Sequence, residues 1–147
     1  MTKGGATEEA ANVIADVLRE KFGLGVGLVN LKKQTRPELA PYKNVVIGGG
    51  VRGGKIYAEA LQFVGQDFGD RKVAFFVCCG AGGNPKDYEN ACSKHLVKGL
   101  ANYPNFKPVA VEAFGGRMRI LGRTVFDNIN IAKVRVWAEL LGEKFTK

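Results

Sequence analysis

The stretch Val73-Ala74-Phe75-Phe76-Val77-Cys78-Cys79 is an uninterrupted run of apolar residues, and Gly80-Ala81-Gly82-Gly83 follows it directly. A run of this kind without charge is typical of a strand that is buried on both faces of a parallel sheet. Asn44-Val45-Val46-Ile47 has the same character and stops at Gly48-Gly49-Gly50, and a further strand is predicted at 109–114, before Gly115-Gly116. Strands that each stop at glycines predict loops that approach a ligand.

Helices are predicted between these strands. Glu8–Phe22 repeats apolar residues at a spacing of four and stops at Gly23, and a second helix is predicted around 56–64. A third helix follows Asn84-Pro85, and the last spans Asn128 to Phe145. The alternation predicts one α/β domain over residues 1–147, with a doubly wound parallel sheet, helices on both faces and every glycine cluster at one edge.

The segment between the first helix and the first apolar strand is less regular. Leu24–Val29 is predicted as a strand that its two glycines weaken, and a polar connection from Leu31 to Tyr42 follows.

The charge and cysteine content of the chain limit the kinds of partner and compartment that we expect. The net charge of +8 favours an anionic partner, such as a phosphorylated cofactor, an acidic protein or an anionic membrane surface, and a solvated basic surface is the alternative. No arginine-rich run with interleaved aromatics occurs, so no nucleic acid is expected. Three cysteines without a framework spacing indicate reduced thiols in the cytoplasm, and peripheral membrane contact stays open.

The chain opens with Thr2-Lys3-Gly4-Gly5-Ala6-Thr7, directly before the first predicted helix. The first N–H groups of a helix have no acceptor inside it, and the helix dipole favours an anion there. Glycines let the backbone come close, and Thr2 and Thr7 can donate hydroxyl hydrogen bonds. This pattern predicts a phosphate cradle, and a plain capped helix start is the alternative.

These motifs resemble those of the flavodoxin family. Thr2–Thr7 matches its Ser/Thr-x-x-Gly-x-Thr loop for the phosphate of flavin mononucleotide (FMN), while 45–55 and 73–83 resemble its two strands with isoalloxazine loops. Val51-Arg52-Gly53-Gly54 and Phe114-Gly115-Gly116-Arg117 are similar to the branch that includes the quinone-linked protoporphyrinogen oxidases. The resemblance covers nearly the whole chain.

The resemblance implies an FMN-binding, flavodoxin-like protein that transfers electrons. The residues implied for the phosphate are Thr2, Lys3, Gly4, Gly5, Ala6 and Thr7; those beside the ring are Gly49, Gly50, Val51, Arg52, Gly53, Gly54, Cys79, Gly80, Ala81, Gly82, Gly83, Phe114 and Gly115. A basic surface suggests docking to an acidic redox partner. An FMN-dependent oxidoreductase acting on a tetrapyrrole or a quinone is the alternative within this class, and no catalytic residue is assigned.

Two departures from the family favour a different class. Only Met1 precedes the cradle, where the family has the central strand of a 2-1-3-4-5 sheet. Three explanations are open: the chain start is incomplete, the sheet closes up with four strands, or a partner fills the gap. The flavin loops also lack stacking aromatics. A flavin-free binding or assembly module, oligomeric and with a hydrophobic groove beside Leu24–Asn30, is therefore a further hypothesis.

The remaining reactive side chains favour structural roles. Adjacent Cys78 and Cys79 suit burial better than one tetrahedral metal site, so no metal is predicted. His95 lies on an apolar helix stripe and Trp137 is interpreted as a core residue. The segment 117–123 alternates basic and apolar residues and is interpreted as an exposed basic loop.

Overall fold

The computed structural model describes residues 5–147. In chain order the elements are α1 (Ala6–Phe22), β1 (Asn44–Arg52), β2 (Lys55–Ile56), α2 (Ala58–Val64), β3 (Lys72–Cys78), a 3-10 turn (Gly80–Gly83), α3 (Tyr88–Ala91) continued by a π-helical segment (Cys92–Lys98), β4 (Ala110–Phe114), β5 (Arg117–Ile120), β6 (Arg123–Asp127) and α4 (Ile131–Phe145). None of these helices combines the length and the apolar character that crossing a bilayer requires.

The main sheet has the order β2-β1-β3-β4. β1, β3 and β4 are parallel, with Ile47 opposite Phe75 and Phe75 opposite Val111, while β2 folds back antiparallel on the end of β1. The predicted doubly wound α/β fold is confirmed: α1 and α4 cover one face of the sheet, and α2 with the segment around Leu96 covers the other.

The alternation of side chains along β3 creates two cores. Phe76 faces α1 and α4 and packs with Phe114 and Trp137, whereas Phe75 faces the opposite side with Phe63. Successive residues of a strand point to opposite faces, so an entirely apolar strand fits only between two covered faces. This explains why 73–78 contains no polar side chain.

The predicted end of one strand and the prediction of another strand are wrong. β1 does not stop at Ile47 but continues through the glycines to Arg52. Gly48 is required there because a Cβ at this position would lie 2.3 Å from Cζ of Phe76, so the aromatic ring occupies the space of the missing side chain. The predicted strand Leu24–Val29 pairs with no strand among residues 5–147, and Leu28 and Val29 are about half exposed.

The segment interpreted as an exposed basic loop forms the hairpin β5–β6. Its turn is Leu121-Gly122, and both residues have positive φ (50° and 78°), which matches the twist of a two-residue hairpin turn. The sequence did not predict this hairpin, because Leu-Gly is not one of the common residue pairs of a hairpin turn and the two short strands have no distinctive pattern.

The buried thiols and the histidine have the structural surroundings that the sequence predicts. Cys78 and Cys79 are free and buried, and desolvation raises the pKa of Cys78 to about 12. His95 is also buried, and desolvation lowers the pKa of its imidazole, with the charge of Lys94 acting in the same direction. These groups are therefore uncharged near neutral pH.

His95 makes stability depend on pH. Because its folded pKa lies below the ordinary 6.5, the unfolded chain takes up a proton first, and the free energy of unfolding falls as pH drops below about 6.5. We expect His95→Gln to reduce that fall, measured by urea unfolding between about pH 7.5 and 5.5. Equal pH dependence in both proteins would contradict the assignment.

Candidate functional site

The predicted loops meet at the carboxyl edge of the parallel strands. Gly50 is in register with Cys78 and Cys78 with Phe114, so the segments that follow these strands emerge side by side. This is the edge at which open parallel sheets bind ligands. The start of α1 lies at the same edge, because Arg117, two residues after Gly115, contacts Glu9 in its first turn.

The first turn of α1 contains a buried hydroxyl group, that of Thr7. Gly5 is the N-cap with a left-handed φ of 80°, and Glu9 N–H donates to its carbonyl at 3.0 Å. Thr7 is only 4% exposed, and its Oγ1 makes no hydrogen bond of ordinary geometry among residues 5–147; the weakly polar Cys78 thiol is its neighbour and interacts with it. Thr2, Lys3 and Gly4 lie outside the described residues, whereas Ala6 is fully buried.

Arg117 brings positive charge to this helix start. Its guanidinium donates to Asp127 at 2.8 Å and to Glu9 at 2.5 Å, and these two bonds raise its pKa further. A Cβ built on Gly5 would lie 4.0 Å from Nη1 of Arg117. Glu9 would otherwise repel an anion at the helix start, and the ion pair with Arg117 offsets that negative charge.

Asn128 joins the loop Gly80–Gly83 to the turn after β4. Its amide Nδ2 donates to the Gly80 carbonyl at 2.8 Å, and its Oδ1 accepts from Gly116 N–H at 2.9 Å. Its backbone N–H also donates to the Gly116 carbonyl at 3.0 Å. The predicted start of the last helix at Asn128 is wrong, because the helix begins at Ile131 and Asn130 is its N-cap, whose side chain accepts from Lys133 N–H.

The glycines of these two segments permit close packing of backbone on backbone. A Cβ on Gly82 would lie 2.4 Å from the Phe114 carbonyl oxygen, and one on Gly83 would lie 2.5 Å from that of Asn128. For Gly115 the distance to the Asn128 carbonyl oxygen would be 2.1 Å. Cys79 belongs to the same assembly, since its N–H donates to the Phe114 carbonyl at 3.0 Å. The loops are therefore held rigid by one another.

The other residues predicted beside the flavin ring in these two segments differ in how deeply they are buried. Gly80 and Ala81 are half-buried in the 3-10 turn. Phe114 is fully buried, and its ring packs against Phe76 and Trp137 at centroid distances of 5.6 Å. The ring thus belongs to the core, and the backbone is the part of Phe114 that reaches the loop.

The first predicted flavin loop is a hairpin. Gly49 and Gly50 are buried in β1, Val51 is half-buried, and Arg52 is exposed. Gly53 and Gly54 form the turn with positive φ values of 58° and 76°. A Cβ on Gly54 would lie 2.8 Å from Nζ of Lys94, so a cationic side chain lies beside the hairpin tip.

The chemistry available at this edge is that of backbone amides, hydroxyl and guanidinium groups. Among residues 5–147 no group of His, Cys, Asp and Glu side chains is arranged to hold a metal ion. Burial raises the pKa of Cys79 as well as that of Cys78, so neither is a thiolate nucleophile at neutral pH. The arrangement suits binding of an anionic group better than covalent catalysis.

Replacing Gly115 with alanine tests the loop packing. The new Cβ would overlap the Asn128 carbonyl, and we expect the free energy of unfolding to fall by about 1–3 kcal/mol in chemical denaturation. Gly25→Ala is the matched control, because no atom lies within 4 Å of its Cβ position. Equal stability of the two variants would show that the loops are not close-packed.

Comparison with known proteins gives one result. A family model described as a flavodoxin domain matches residues 1–140. The search among curated proteins found no match. The matched region contains all of the described sheet and the loops at its carboxyl edge.

Proposed function

Because the chain belongs to the flavodoxin-domain family, we propose that it binds FMN and transfers electrons through it. The observation that carries the proposal is the Thr7 hydroxyl, which is buried at a helix start with the Cys78 thiol beside it and with no hydrogen bond of ordinary geometry among the described residues. A buried hydroxyl of this kind loses its hydrogen bonds to water on folding, and a phosphate oxygen would restore one.

The phosphate would lie at the start of α1. Thr7 Oγ1 would donate to it, the N–H groups of the first turn would point at it, and Arg117 would supply positive charge nearby. Thr2, Lys3 and Gly4 belong to the same proposed cradle. The residues present fit a phosphate, because donors and a cation converge there while Glu9 is already paired.

The flavin ring would lie between the hairpin tip and the second loop. Bound FMN supplies the electron chemistry, which no side chain of this edge provides. The chain's part is to hold the ring between the backbone of Gly53–Gly54 and that of Gly80–Gly83, the second of which Asn128 fixes in place through the Gly80 carbonyl. Lys94 beside the hairpin tip would favour negative charge on the reduced ring.

An acidic redox protein is the proposed electron partner. The net charge is +8, and the exposed residues Arg119 and Arg123 extend the basic surface along the β5–β6 hairpin. Complementary charge accelerates encounter, and this acceleration decreases with salt. The partner's rate of electron exchange with the bound flavin would therefore fall as ionic strength rises.

An FMN-dependent oxidoreductase acting on a tetrapyrrole or a quinone is the second candidate. The hairpin favours it, because Met118, Ile120 and Leu121 are exposed between arginines and could contact a flat apolar molecule with acidic groups. A carrier would keep its flavin reduced when such a molecule is added without a protein partner. Tetrapyrrole- or quinone-dependent change in flavin absorbance would identify the oxidoreductase.

Thr7→Val gives effects of opposite sign on stability and on FMN binding. Valine keeps the shape but removes a buried hydroxyl whose neighbour is only the weakly polar Cys78 thiol, so the flavin-free protein should be equally stable or more stable. FMN affinity should fall about tenfold, measured by fluorescence quenching of the flavin. Riboflavin, which has no phosphate, should bind both proteins equally weakly.

Thr124→Val is the matched control, since Thr124 is exposed on β6 and the substitution removes the same hydroxyl elsewhere. It should leave both affinities unchanged. Failure of the parent protein to retain any flavin, judged by its absorbance spectrum after removal of excess FMN, would overturn the proposed function. An equal loss of FMN and riboflavin affinity in Thr7→Val would overturn the role of Thr7 at the phosphate.

A further inference from the structure

The hairpin β5–β6 carries a cluster of exposed apolar side chains. Leu121 at its turn is 98% exposed, and Met118, Ile120 and Val125 are 45%, 55% and 58% exposed. Apolar residues that are exposed singly are normal on a protein surface, whereas a contiguous group of them marks a place of contact. Residues 118–125 form such a group, the β5–β6 tip.

Leucine is disfavoured at position 121 for two separate reasons. Among residues 5–147 it is the only residue other than glycine with a positive φ, 50°, where asparagine, aspartate and glycine are preferred in a two-residue hairpin turn. Its side chain also gains almost nothing from folding, because nearly all of it stays in water. Neither the turn nor the core therefore explains this leucine, and a contact outside the chain does.

Basic side chains lie directly behind the apolar ones. Arg119 and Arg123 are both exposed, and each is two residues from Leu121 along the chain. The strand register places Arg123 opposite Ile120. The sequence contains no acidic residue between Arg117 and Phe126. The β5–β6 tip thus combines an apolar end with a ring of positive charge.

The base of the hairpin is fixed to the rest of the protein. Arg117 donates to Asp127 across the two strands at 2.8 Å and also pairs with Glu9 of α1. A Cβ built on Gly80 would lie 3.1 Å from the Phe126 ring, which therefore packs on the neighbouring loop. The tip is held out from a rigid base, so binding there requires little ordering of the chain.

The exposure and the charge of the tip favour a bilayer with anionic headgroups as its partner. A small molecule would cover a projecting side chain such as Leu121 on one side only, whereas the acyl boundary of a bilayer surrounds it. Each arginine near an anionic lipid surface adds about fivefold in affinity. A second copy of this chain would instead bring like charges together, since the net charge is +8.

The length of the hairpin limits the depth of insertion. At about 3.3 Å per residue, Leu121 lies at most roughly 7 Å beyond Arg119. Interfacial segments bury their apolar side chains about 5–10 Å into the boundary between headgroups and acyl chains. Leu121 and Ile120 would reach that boundary while Arg119 and Arg123 stay among the lipid phosphates.

We propose that the β5–β6 tip docks this protein onto an anionic membrane surface, with Leu121 and Ile120 inserted at the interface and Arg119 and Arg123 on lipid phosphates. The proposal does not depend on FMN binding, because no residue of 118–125 belongs to the proposed flavin contacts. The hairpin leaves the sheet at the carboxyl edge of β4, so docking brings that edge close to the membrane.

Binding is measured on the full chain by flotation with vesicles. One set contains phosphatidylcholine and phosphatidylglycerol in equal parts, and the other contains phosphatidylcholine alone. The parent protein should bind the anionic vesicles at least about tenfold more tightly, and its affinity for them should fall as salt is added. Failure to bind the anionic vesicles, or equal binding to both sets, would overturn the proposal.

Leu121→Asn removes the apolar end and keeps the turn, because asparagine adopts a positive φ readily. The variant should be at least as stable as the parent but should bind anionic vesicles about tenfold more weakly. Val136→Asn is the matched control, since it removes an apolar side chain that is 68% exposed on α4, and it should bind like the parent. Undiminished binding by Leu121→Asn would contradict the proposal.

Arg119→Gln and Arg123→Gln should each weaken binding to the anionic vesicles about fivefold. Arg135→Gln removes the same charge from an exposed position of α4 and should have a smaller effect, because salt screens charges that lie far from the lipid surface. Equal effects of the three substitutions would show that net charge alone attracts the protein, which would rule out docking through the tip.

Ile120→Trp reports insertion directly, because the native Trp137 is buried in the core. Emission of the new tryptophan should shift to shorter wavelength on anionic vesicles, and bromine atoms on the acyl chains should quench it. Val136→Trp, at the exposed position of α4, should show neither effect. Vesicle binding without the shift in Ile120→Trp would mean adsorption onto headgroups only and would overturn the proposal.

An acidic protein is the other outcome that the variants distinguish. If Leu121→Asn kept the parent's affinity for vesicles but lost binding to an immobilised plant-type ferredoxin, an acidic redox protein, the tip would be assigned to protein docking. That result would overturn membrane docking. Failure of the parent to retain FMN would overturn the proposed function but would leave vesicle binding and the proposed role of the tip unaffected.

Discussion

The parallel pairing of β3 with both of its neighbours is the constraint on which the rest of the structure depends. β3 bonds to β1 on one side and to β4 on the other, and its side chains supply the centre of both cores through Phe75 and Phe76. Because an all-apolar strand must be covered on both faces, it fixes where α1, α4 and α2 pack. The same pairing brings the carboxyl ends of the strands together, and thereby the loops of the candidate site.

The rigidity of those loops has a different origin from the rigidity of the core. Gly82, Gly83 and Gly115 allow backbone to touch backbone, and Asn128 bonds to both segments with its side-chain amide. Glycines in loops are usually explained by the approach of a ligand, but here most of their missing side chains are replaced by protein atoms. A site built this way is shaped before any ligand binds, so little ordering is needed on binding.

Sequence patterns predicted the helices with a regular apolar periodicity and the strands that are apolar on both faces. The order of β1, β3 and β4, the two helical layers and the burial of Cys78 and His95 follow from periodicity and from uninterrupted apolar runs. The errors have physical reasons. Leu24–Val29 has strand-like residues but no strand among residues 5–147 to pair with, and β1 continues through Gly48 because the Phe76 ring fills the space of the missing side chain. Asn128 was missed because its partners, Gly80 and Gly116, are set by packing that spacing does not encode.

Two unmet hydrogen-bonding requirements lie close to one another in the fold, and their chemistry differs. The Thr7 hydroxyl is a single donor at a positive helix end, beside Arg117, which suits one anionic group. The edge of β1 presents alternating donors and acceptors between apolar walls, which suits an uncharged backbone. An anion beside the edge of β1 would lose its hydration among apolar side chains, whereas at the helix end the first N–H groups of α1 offset that loss. The start of α1 and the edge of β1 are therefore chemically distinct surfaces of the described structure, although Thr7 borders both.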